Sequence, residues 1–137
     1  MATPGKKVAR DPNRSRSLAR CINKTGYDTR EACAYFAAGA RANGARDIEL
    51  GLVPSPNRSR GCAEVGGKRV IVAIAPPSKF SKKKLARIFE HELRHISGQE
   101  HEDMTEEDYW SKGSEPEWSK KQKAPRWKQR GESILPK

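Results

Sequence analysis

Residues 68–101 read KRVIVAIAPPSKFSKKKLARIFEHELRHISGQEH, and a change of period inside this stretch decides the fold. From Val70 to Ala75 the apolar residues run on without a break between Gly67 and Pro76. That predicts a strand buried on both faces, or a strand laid against a helix. After Ser81 the spacing becomes helical. Ser81 is placed to cap a helix from Lys82 to about Ser97, and Gly98 to end it in the left-handed conformation that glycine adopts cheaply. At about 100° of turn per residue, Leu85, Ile88, Phe89, Leu93 and Ile96 share one band and form a core face. His91 and His95 lie together beside that band, with Glu92 between them and it.

Working outward, Thr29 is placed to cap an alanine-rich helix that ends near Asn43 and Gly44. Ile48, Leu50 and Leu52 alternate with Glu49 and Gly51 as in a half-buried strand. PSPNRSRG, residues 54–61, is almost all turn formers and reads as a loop. The expected fold is α+β, a short mixed sheet with one helix behind it and the His-bearing helix in front, over residues 17–110. Residues 1–16 read as a flexible basic arm and 111–137 as a basic tail rich in Trp, Lys and Pro.

The formal charge of +11 over 137 residues is unevenly placed: residues 1–30, 31–99 and 111–137 carry +6, +6 and +5, and residues 100–110 carry −6. A basic body flanked by basic arms suits a nucleic-acid partner. Three cysteines, Cys21, Cys33 and Cys62, are an odd number without CxxC spacing. The count disfavours a disulfide framework and a zinc ribbon, and it makes a reducing, cytoplasmic setting the default. Cys33 and Cys62 are expected as buried core thiols. No window approaches the length of a membrane span, so a transmembrane segment is not expected. Of the three tryptophans, Trp110 is expected to pack on the domain, and Trp118 and Trp127 to face a nucleic acid or an acidic protein.

All three histidines, His91, His95 and His101, fall within eleven residues. Two imidazoles one helical turn apart can hold one zinc ion, and Gly98 lets the chain reverse so that His101 supplies a third ligand. Three protein ligands leave a coordination position for water, the arrangement of a catalytic rather than a structural zinc site. Glu92 is then placed to take a proton from that water. Glu102 or Asp103 could orient a ligand histidine.

These residues resemble the HExxHxxGxxH signature of the metzincin metallopeptidases, matched by His91, Glu92, His95, Gly98 and His101. The resemblance implies a zincin-like domain and a zinc-dependent peptidase acting on a protein or peptide substrate. His91, His95 and His101 would be the zinc ligands and Glu92 the general base. It also implies that the strand before the helix, residues 68–75, lines the cleft and pairs with extended substrate. Met104 stands where a methionine could pack under the site, and Tyr109 could bind a reaction intermediate. The spacing is also similar to the HGxLHLxGYDH motif of YbeY-type endoribonucleases, which has glycine where this chain has Glu92. That implies RNA hydrolysis as the alternative, and a zinc-stapled nucleic-acid-binding module without activity is a third reading.

Overall fold

The computed structural model describes residues 16–106 and 114–128. Four strands, β1 (Leu18–Asn23), β2 (Ile48–Pro54), β3 (Arg60–Ala63) and β4 (Arg69–Ile74), form one sheet in the order β1-β2-β4-β3. β1, β2 and β4 run parallel, and β3 returns antiparallel to β4 at the edge. Helix α1 (Thr29–Ala42) connects β1 to β2, and α2 (Lys82–Ile96) follows β4. The α+β expectation holds, with a mixed sheet and two principal helices.

The local signals explain both helices. Ser81 accepts the Lys84 amide at 3.2 Å, and Gly98 ends α2 at φ 103°. Asp28, not Thr29, caps α1 by accepting the Glu31 amide at 2.8 Å. That hydrogen bond, helped by Lys128 and Arg126 nearby, holds the Asp28 carboxyl below the usual range. A carboxylate satisfies the first free amides of a helix better than a hydroxyl that already lies inside it.

Both helices cover the same face of the sheet, which corrects the arrangement of one behind and one in front. Ile48, Leu50 and Leu52 of β2 and Val70, Val72 and Ile74 of β4 are buried in one cluster with Tyr35, Phe36, Leu85, Phe89 and Leu93. Each such side chain contributes roughly 1.5–3 kcal/mol. Ile22 and Ile71, on the opposite face, are 44% and 45% exposed. β4 is therefore a strand against a helix layer, buried on one face only.

Three further expectations are corrected. Cys21 of β1 and Cys33 of α1 form a disulfide with the Cα atoms 6.1 Å apart. An odd count excludes full pairing but says nothing of one pair brought together by a neighbouring strand and helix. Cys62 is exposed, not buried. Part of the expected 54–61 loop is strand: Arg60 and Gly61 begin β3.

The described part of the tail returns to the body. Lys128 N–H donates to the Gly26 carbonyl at 2.8 Å, and Asp28 N–H to the Arg126 carbonyl at 2.7 Å. Trp127 stands edge-on to Tyr27 with ring centres 5.0 Å apart. Trp118, on the short helix α3 (Glu117–Lys120), is 9% exposed and packs into the core cluster, so it faces no outside partner. Trp110 and Tyr109 lie outside the described residues. Among the described residues no helix is long and apolar enough to cross a membrane.

Candidate metal centre

The last two turns of α2 and the chain just beyond it bring the three histidines together. Their ring centres are 4.8 to 5.3 Å apart, and one ligand nitrogen from each lies within 4.8 Å of the others. His91 and His95 stand Nε2 to Nε2 at 3.2 Å. Two ligands at 2.0 to 2.1 Å from a tetrahedral zinc stand about 3.3 Å apart, so the helical pair matches the spacing such an ion requires.

The tautomer of His95 follows from its other nitrogen. Nδ1 lies 2.9 Å from the Gln99 carbonyl oxygen, which can only accept, so Nδ1 carries the proton and Nε2 presents a lone pair to the cluster. The acceptor is thus a backbone carbonyl of the turn that Gly98 makes possible. For His95 that acceptor is neither Glu102 nor Asp103. Asp103 instead accepts the Glu100 amide at 3.0 Å and closes the 3-10 turn His101–Asp103 that carries the third histidine. Met104 caps that turn, half-buried, its amide donating to the His101 carbonyl.

Glu92 is 5% exposed and has no hydrogen-bond or ion-pair partner among the described residues. Burial alone pushes its carboxyl up to about 7. A buried carboxylate is ordinarily paired, so Glu92, next in sequence to His91, is a candidate functional group. Its cover is β3: the Glu92 side chain lies directly beneath the Gly61 backbone. The hairpin after β3 is tied to the same helix, since the Gly66 amide donates to the His95 carbonyl at 2.7 Å.

β4, the strand expected to pair with substrate, is hydrogen-bonded on both sides and has no free edge. Among the described residues the outer strands are β1 and β3, and the edge beyond β4 is that of β3, whose first two residues, Arg60 and Gly61, sequence reasoning read as loop. The donor set fits a zinc ion: three imidazoles whose ligand atoms converge, one with its tautomer fixed by a backbone carbonyl. No protein-family model, no curated protein and no solved structure matches this chain.

Proposed function

We propose that this protein is a zinc-dependent, metzincin-like peptidase. The observation that carries the reading is the convergence of three histidine nitrogens within 4.8 Å of one another, with the buried Glu92 next in sequence to the first of them. His91, His95 and His101 would hold the ion. Zinc bound there supplies a Lewis acid that polarises a carbonyl and lowers the pKa of a water toward about 7.

The rest is the work of this chain's own groups. Glu92, with a proton affinity matched to neutral pH, takes a proton from the attacking water on its carboxylate and returns it to the departing amine. The Gln99 carbonyl keeps His95 in one tautomer and orientation. The free edge of β3 offers backbone donors and acceptors to an extended peptide, which favours a polypeptide over RNA as substrate. The Cys21–Cys33 bond supports an oxidising setting rather than the cytoplasmic one its cysteine count suggests.

The test begins with elemental analysis of the native chain and His95→Ala, and continues with cleavage assays on protein and RNA. The reading expects one zinc per native chain, lost in the variant. It also expects proteolysis that Glu92→Ala abolishes while retaining metal. Absence of zinc after reconstitution overturns it, and cleavage of RNA alone transfers the site to the ribonuclease reading.

A further inference from the structure

Gly61 sits on the edge strand opposite Val72, whose side chain is buried under the helices, so position 61 also faces α2. A Cβ at that position would stand 2.8 Å from Glu92 Cγ, 3.1 Å from Oε2 and 3.2 Å from Cδ. Ordinary carbon contacts are about 3.5–4.0 Å, so the collision is with the middle of the side chain and not with a free tip. The strand cannot rise to relieve it, because β4 holds one side of it and the Gly66 to His95 hydrogen bond holds the hairpin end. The residue that yields is Glu92.

We infer that Gly61 is a positioning residue: its missing side chain lets the edge strand lie on Glu92 and fixes where the carboxylate stands relative to the three histidines. The inference rests on the reading of Glu92 as the proton acceptor. The three atoms nearest a Cβ at position 61 all belong to Glu92 and none to a histidine, so metal binding and carboxylate placement are separable.

The test uses full-length Gly61→Ala, Glu92→Ala and the double variant, loaded with cobalt(II) in place of zinc. Gly61→Ala is expected to bind one cobalt, with a visible spectrum displaced in the direction of Glu92→Ala, and the double variant to match Glu92→Ala alone. In the zinc form, kcat is expected to fall by about tenfold or more with KM little changed. A native spectrum and native kcat in Gly61→Ala overturn the inference, as do additive effects in the double variant. If Gly61→Ala does not fold, recovery of folding in the Glu92→Ala background sustains the contact, and failure of the double variant overturns it. Failure of the peptidase reading shows separately, as a native chain without metal or a fully active Glu92→Ala. Thermal denaturation of the metal-free set then decides the placement, with non-additive losses of Tm sustaining it and additive losses overturning it.

Discussion

The indole of Trp118 donates to Glu90 Oε1 at 3.0 Å, joining the C-terminal segment to the helix that carries His91 and His95. The same oxygen accepts from Asn43 Nδ2 at 3.1 Å, and Arg94 lies 3.4 Å from Glu90 Oε2. A carboxylate 7% exposed is thereby satisfied from three sides, one residue before His91.

Trp118→Phe keeps a ring in the core but removes the donor to a buried charge. The expected cost is about 1–3 kcal/mol in urea unfolding with an unchanged m-value. A midpoint equal to that of the native protein would show that Asn43 and Arg94 suffice.

Gly39→Ala should destabilise although it improves helix propensity. A Cβ on Gly39 would meet the Trp118 ring at 2.7 Å. Alanine gains about 0.5–1 kcal/mol over glycine within a helix, while overpacking costs about 1–3 kcal/mol. The net loss of Tm is expected to disappear in Trp118→Ala, where the ring is absent. A loss that persists there contradicts the account.

Reduction of Cys21–Cys33 opens a loop across a sequence separation of 12, and the chain-entropy relation puts its contribution at about 3 kcal/mol. Cys21→Ser with Cys33→Ser should lower Tm accordingly and make it insensitive to reductant. Under native conditions a thiol reagent should titrate one group, the exposed Cys62.

Glu92 makes the metal-free protein weaker as pH rises. Below about pH 4.5 it is protonated in both folded and unfolded chains and exerts no penalty. Above that the unfolded chain releases its proton while the folded one holds it until about pH 7, so stability falls through this window and stays lowered beyond it. The full penalty is on the order of 3 kcal/mol. Glu92→Gln should remove the slope, so the variant is the more stable protein at pH 8. Parallel pH profiles for the two proteins would contradict the burial of a free carboxylate.

How much of this was legible depended on whether the cause was local. α2 was legible because its cap, its apolar band and its terminating glycine all lie within the segment itself, as do the three histidines. The side of the sheet it occupies was not, because Ile71 interrupts the inward row Val70, Val72, Ile74 with another apolar residue and hides the alternation. β3 was hidden for a related reason: four residues containing Gly61 and Cys62 carry no periodic signal, and only pairing with β4 makes them a strand. Parity counting failed at Cys21 and Cys33 since it contains no geometry. Trp118 read as a free aromatic among lysines because the space that receives its ring is left by Gly39, nearly eighty residues earlier.

The parts of the candidate centre are therefore assembled over two very different sequence ranges. The ligands His91, His95 and His101, with the Gln99 carbonyl and the Gly98 turn, belong to one short stretch whose contacts close early and cheaply along a folding chain. The dry environment of Glu92 needs β3 laid across the helix from thirty residues upstream. On the proposed reading, a helix end formed before the sheet would hold an ion without the covered carboxylate needed to use it, so a partly folded chain would be a metal trap rather than an unregulated hydrolase.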